Sequence, residues 1–206
     1  MKQALISVFV SVIFLSPNLS AVGWETIAAQ VSKSIMYLTG PEGKCTAFTI
    51  DAQRDYVLTA GHCEQLSAGV SVMRVGGLLS SVTFKDEKKD LMVLHVPGDD
   101  HPAIKLAADN PKIGEQVASY GYGYALGRPL FRVSHVSDDS FTAGEAGIDG
   151  IFLVFDSTFI GGMSGGPVFN ILGEVVAIVQ MGSPEMGIGT GAEEIRKRAG
   201  KYFEKN

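Results

Sequence analysis

One histidine, one aspartate and one serine sit in segments built to present them. His62 lies in Thr59-Ala60-Gly61-His62-Cys63, where a β-prone run ends in small residues and delivers an imidazole at a turn. Asp90 stands immediately before the apolar run Leu91 to Val96. Ser164 lies in Gly161-Gly162-Met163-Ser164-Gly165-Gly166-Pro167-Val168. A nucleophilic hydroxyl needs open access, and a backbone bent so that N–H groups face the charge developing on the attacked carbonyl. Glycines allow both, because they accept backbone angles closed to other residues. Each segment alone has a plainer reading: a structural histidine, a strand-start aspartate accepting backbone hydrogen bonds, a glycine-rich hairpin turn. Together, in the order histidine, aspartate, serine, the three are far more specific than any one of them. Asp86 and Glu87 are neighbouring acids, but neither abuts the apolar run. His95, His101 and His135 have no comparable setting and read as surface or structural residues.

The elements that must carry these residues are short. A helical turn can open at Trp24 to Ser34, followed by a strand at Ile35 to Leu38. Further β-prone runs are Cys45 to Ile50, Tyr56 to Thr59, Val70 to Val75, Leu79 to Phe84 and Leu91 to Val96. More follow at Gln116 to Tyr120, Leu130 to Val136, Ile151 to Phe155, Pro167 to Phe169 and Val175 to Gln180. Many short strands cut by Gly, Pro, Asn and Asp predict an all-β sandwich or barrel. The helices expected between parallel strands are missing, which counts against an α/β fold. Gly191 to Asn206 changes character. Ile195, Ala199 and Tyr202/Phe203 recur at helical spacing, which predicts an amphipathic helix on the β body. Pro97 to Pro111 is the natural connection between two halves. Tyr120-Gly-Tyr-Gly-Tyr124 reads as a strand end and turn, or as rings offered to a peptide or glycan.

Length and composition bound the function. The 206 residues suit one domain, or one fold of two small halves. With 46% hydrophobic and 19% charged residues, the chain is globular rather than disordered. A net charge of -5 argues against a nucleic-acid partner, which requires a basic face. Two cysteines rule out a disulfide-rich scaffold and a four-cysteine zinc site. At the N-terminus, Lys2, the uncharged run Ala4 to Leu15 and the small residues Ser20, Ala21 and Gly23 form a secretory signal pattern. A signal peptide at 1–21 is expected, with cleavage after Ala21 or Gly23. It leaves a secreted or periplasmic protein without stable membrane insertion.

TAGHC, KDLMVL and GGMSGGPV resemble the three signature segments of the trypsin-like (chymotrypsin-fold) serine proteases. The resemblance covers about residues 33 to 203. Its short spacings are similar to those of compact bacterial and HtrA-like members, here without a PDZ domain. It implies that 22–206 form two six-stranded antiparallel β-barrels, joined near 97–111, with a C-terminal α-helix at about 191–203. It implies a serine endopeptidase acting on peptides or proteins without a cofactor. Ser164 would be the nucleophile, His62 the general base and Asp90 its orienting partner, with Gly162 and Ser164 N–H groups as the oxyanion hole. It implies a Cys45–Cys63 disulfide, with a zinc site as the competing reading of those cysteines. Met163 departs from the pattern. Digestive members carry an Asp there that receives a freed N-terminal amine, so activation of that kind is not expected. Counting along the pattern puts Thr158 at the floor of the primary specificity (S1) pocket, with Gln180, Met181 and Gly182 at its wall. Without an acid at the floor, small or medium apolar P1 side chains are expected. The rival functions are a non-catalytic peptide- or partner-binding protein of the same fold, and an esterase using the same three residues.

Overall fold

The computed structural model describes residues 23–67, 73–124, 127–142 and 151–204. The proposed signal segment lies outside them. Among the described residues no helix is long and apolar enough to cross a membrane.

A short helix, α1 (Trp24–Val31), opens the described chain and runs through a 3₁₀ turn into the first barrel. That barrel holds β1 (Ile35–Gly40), β2 (Gly43–Asp51), β3 (Tyr56–Ala60), β4 (Met73–Val75), β5 (Leu78–Asp86) and β6 (Leu91–His95). It closes in the order β1-β2-β3-β6-β5-β4. The second barrel holds β7 (Gln116–Tyr122), β8 (Pro129–Thr142), β9 (Ile151–Phe155), β10 (Pro167–Phe169), β11 (Val175–Gly182) and β12 (Gly187–Gly191). It closes in the order β10-β11-β12-β9-β8-β7. Read around the ring from its first strand, each barrel has the same order. The paired strands are antiparallel throughout. The expected all-β architecture of two six-stranded barrels is present. Closure leaves no unpaired strand edge, which is how such short strands become stable.

One apolar core crosses the boundary between the barrels. Phe48, Leu58 and Leu91 of the first barrel pack with Ala118, Phe169 and Ile178 of the second. Ile27 and Val31 of α1 join the same cluster, as do Ile195, Ala199 and Phe203. The C-terminal helix α2 spans Ala192–Ala199, with Glu193 and Glu194 in its first turn and Arg196, Lys197 and Arg198 in its last. That order complements the helix dipole. Beyond a final 3₁₀ turn, the N–H of Glu204 donates to the carbonyl of Ile50 at 3.1 Å, so the C-terminal segment straps the first barrel.

The strand β12, of sequence GIGTG, was absent from the sequence expectation, since it has almost no β propensity. Its glycines are there because neighbours crowd it. A β-carbon on Gly189 would lie 2.6 Å from the carbonyl oxygen of Ile178, and one on Gly187 would lie 2.5 Å from Phe159 Cε2.

Candidate active site

The β3–β6 register brings His62 and Asp90 together. Ala60 pairs with Leu91, so the end of β3 meets the start of β6 at one rim of the barrel. One residue further along, the N–H of Gly61 donates to the carbonyl of Asp90 at 2.9 Å. Next, the N–H of His62 donates to Asp90 Oδ1 at 2.6 Å, while His62 Nδ1 lies 2.7 Å from Oδ2. Two-point contact of this kind fixes both the position and the orientation of the imidazole. It directs Nδ1–H at the carboxylate and leaves Nε2 as the ring's acceptor.

Ser164 is delivered by the second barrel. The N–H of Gly165 donates to the carbonyl of Val179 and the N–H of Val179 to that of Gly166, so the turn extends the β10–β11 ladder. Ser164 Oγ donates to the carbonyl of Gln180 at 3.2 Å. Among the described residues, Ser164 and His62 share no hydrogen bond. Both line a cleft of about 310 Å³ together with Gly161, Gly162, Cys45 and Tyr124. On its other side His62 borders a second cavity of about 480 Å³, lined also by Lys85, Glu87 and Met181. A hydrogen bond to Glu64 holds the Lys85 ammonium above its ordinary pKa against the opposing effect of burial, and Glu87 adds to it.

The backbone of the serine turn is pinned from one side. The carbonyl of Gly161 accepts from Tyr124 N–H at 2.8 Å, and that of Gly162 from the Thr46 hydroxyl at 2.9 Å. The carbonyl of Met163 accepts from Gly166 N–H, and that of Ser164 from Thr46 N–H, each at 2.8 Å. The N–H groups of Met163, Gly165 and Gly166 also have partners. Among the described residues, those of Gly162 and Ser164 donate to no protein acceptor. Carbonyl and N–H point oppositely across a trans peptide. Anchoring the carbonyls of Gly161 and Met163 therefore turns these two N–H groups away from the scaffold. Gly162 has a φ of +95°, which only glycine adopts without strain.

Cys45 and Cys63 form a disulfide with a Cα–Cα distance of 6.2 Å, tying β2 to the 3₁₀ turn that carries His62. Their sulfurs lie close to the ring nitrogens of His62, but bonded sulfurs are not thiolate ligands, so the zinc reading is corrected. Thr158 Oγ1 is hydrogen-bonded to the carbonyl of Ser183. A β-carbon on Gly182 would lie 2.1 Å from the Phe159 carbonyl oxygen, so the two segments expected to wall the pocket lie directly against each other. The Gln180 side chain is buried. It donates to the carbonyl of Asp90 at 2.8 Å and to Thr190 Oγ1 at 3.1 Å.

Two more histidines contact acids. His135 meets Asp156 through its N–H and its Nδ1, the same two-point contact that His62 makes, and His101 Nδ1 lies 2.6 Å from Asp99 Oδ1. Neither lines the cleft that holds Ser164.

Residues 45–178 match the family model of the trypsin-like peptidase domain. The chain belongs to that family. It is 33% identical over 141 residues to a probable periplasmic serine endoprotease, DegP-like, of Hahella chejuensis, covering 60% of this chain and 26% of the relative. The corresponding protein of Pseudomonas fulva is 31% identical over 136 residues, with the same coverage. The chain thus spans about a quarter of the curated relatives it matches. In fold it is similar to the active form of the Rv3671c protease of M. tuberculosis, with a TM-score of 0.72 at 20% identity, covering 98% of this chain and 96% of that one. The serine endoprotease of Yersinia pestis gives 0.70 at 20% identity, covering 85% and 64%. Sequence reasoning reached the family through three segments. It missed Thr46 and Tyr124, which hold the serine turn of this trypsin-like domain, because neither residue type signals such a role.

Proposed function

We propose that the chain is an exported serine endopeptidase that cleaves peptide bonds through His62, Asp90 and Ser164. The observation that carries this reading is the pair of unpartnered N–H groups, Gly162 and Ser164, beside a cleft shared with a histidine already oriented by an aspartate. Ser164 Oγ swings from the Gln180 carbonyl toward His62 as substrate binds, since such contacts tighten only in the substrate complex. It attacks the scissile carbonyl while His62 Nε2 takes its proton. The oxyanion receives hydrogen bonds from Gly162 and Ser164 N–H. Collapse breaks the C–N bond, and the amine leaves with the proton from His62. Water, deprotonated by His62, then attacks the acyl ester; collapse breaks the C–O bond to Ser164, His62 returns the proton to Oγ, and the acid leaves. Asp90 holds the imidazole and stabilises its charged form.

Export is supported by the signal-like N-terminus, by the disulfide and by the likeness to two DegP-like relatives that are themselves described as periplasmic. Substrates are peptides or proteins. The close approach of Phe159 to Gly182 and Gly187 supports a shallow P1 site for small apolar side chains.

The test is digestion of an unbiased peptide library by the mature chain and by Ser164→Ala, read by mass spectrometry. The expected result is cleavage after small apolar residues by the intact chain only, with Phe159→Ala extending it to larger ones. Ester hydrolysis without peptide cleavage would favour the esterase reading. No turnover, with no labelling of Ser164 by a fluorophosphonate, would leave a binding protein.

A further inference from the structure

Thr46 is fully buried, and its groups bond toward both barrels. It lies in β2, paired with Tyr37, one residue after a disulfide cysteine. Its hydroxyl donates to the carbonyl of Gly162 at 2.9 Å and accepts from the N–H of Tyr122 at 2.8 Å. Its N–H donates to the carbonyl of Ser164 at 2.8 Å. Its own carbonyl accepts from Thr59 Oγ1 at 2.8 Å, in the strand that leads to His62. One residue therefore contacts both ends of the Gly162–Ser164 turn, the β7 strand against which that turn packs, and the strand that positions the base. Space around it is tight. A β-carbon on Gly121 would lie 3.0 Å from Thr46 Oγ1, and one on Gly165 would lie 2.3 Å from its carbonyl oxygen.

We propose that Thr46 is a positioning residue for the oxyanion hole: its hydroxyl holds the Gly162 carbonyl and so fixes the Gly162–Met163 peptide, which lies between the two peptides that carry the Gly162 and Ser164 N–H groups. The proposal rests on the reading of Ser164 as nucleophile. Without the hydroxyl, the buried Gly162 carbonyl and the partly buried Tyr122 N–H both lose a partner. A turn that can rotate its peptides to recover those bonds will do so. Because Gly162 is glycine, the rotation is sterically cheap. The rotated peptide carries Met163 N–H and is joined directly to the two that carry the donors, so its rotation shifts them from the oxyanion, and one such donor is worth about 10²–10³-fold in kcat. Binding of the substrate's ground state does not use that donor, so KM is expected to move little.

The experiment compares Thr46→Val, Thr46→Ala and Thr46→Ser with the unaltered mature chain and with Ser164→Ala. Peptide kcat and KM, fluorophosphonate labelling rate and thermal midpoint are measured for each. In Thr46→Val, kcat and the labelling rate are expected to fall together by about ten- to a hundredfold, with KM within about threefold. Thr46→Ser, which keeps the hydroxyl and loses the methyl, is expected to regain most of kcat while melting lower than the unaltered chain. If Thr46→Val does not fold, Thr46→Ser against Thr46→Ala carries the same comparison, because they differ by the hydroxyl alone. An unaltered chain that turns over, together with equal kcat in Ser and Ala (or in Thr and Val) variants, overturns the proposal and leaves the peptidase standing. An unaltered chain that neither cleaves nor is labelled overturns both.

Discussion

Asp90 has a φ of +52°, in the left-handed region that side chains with a β-carbon enter only at a cost. Two donors hold its carbonyl there, Gly61 N–H from the first barrel and Gln180 Nε2 from the second. The twisted backbone aims both carboxylate oxygens back at His62. Aspartate and asparagine tolerate this conformation better than most residues, so Asp90→Asn should keep the fold. It should lose on the order of 10⁴-fold in kcat, because the amide cannot hold the reactive tautomer. Asp86 serves differently: it accepts from Lys89 N–H and pairs with Arg198 at 3.5 Å. Asp86→Asn should stay within a few-fold of the unaltered rate. Steady-state kinetics on the two variants checks the choice of acid, and the opposite ranking would overturn it. From the sequence Asp90 was legible, because it abuts an apolar strand. Its backbone strain and the buried Gln180 beneath it were not, because they need the second barrel.

Helix α2 docks by charge as well as by its apolar face. Glu194 lies 2.8 Å from Arg198 Nε and 3.6 Å from Lys89 Nζ. Burial pushes the Glu194 carboxyl up, but the Arg198 hydrogen bond and the charges of Lys89, Arg198 and Lys197 outweigh it and hold the group below its ordinary value of 4.5. A carboxyl depressed on folding contributes stability above its unfolded value, and that contribution is lost as pH falls through the folded value. Glu194→Gln should therefore lower stability at pH 7 by about 0.5–1 kcal/mol. The difference should vanish in strong acid, as urea melts at the two pH values would report. The disulfide works on a neighbouring element. Replacing Cys45 and Cys63 together by alanine should lower stability by about 3 kcal/mol, since the closed loop is short. The C-terminal helix was legible from its spacing, whereas β12 was hidden because its glycines answer to neighbours and not to strand propensity.

At the scale of the whole molecule, the two barrels share one apolar cluster besides those inside each barrel, and the cleft runs between them. Trp24, the only tryptophan, packs on Phe131 and Phe169 of the second barrel at ring distances of 6.3 and 6.2 Å. Its fluorescence therefore reports that barrel, while far-UV circular dichroism reports both. Because Phe169 lies in the cluster that crosses between barrels, Phe169→Ala should cost about 3–5 kcal/mol. The two signals should still fall in one transition. Separate midpoints would show that the barrels unfold independently and that the shared core does not couple them.

Local chemistry made much of this protein readable from sequence alone. Short β-prone runs cut by frequent turn residues specify short strands. A histidine after small residues, an aspartate before an apolar strand and a serine among glycines carry their signal together. The pairing of the two cysteines was implied by the family resemblance, and the structure bears it out. Tertiary structure alone decided what depends on distant segments meeting. The Ala60–Leu91 register set the His62–Asp90 geometry, and the β10–β11 ladder brought Ser164 beside Gln180. Thr46 became the anchor of a turn more than a hundred residues away. A threonine, a glutamine or a glycine strand has no role until closure of both barrels supplies its neighbours, because hydrogen bonding and steric crowding act at contact distance.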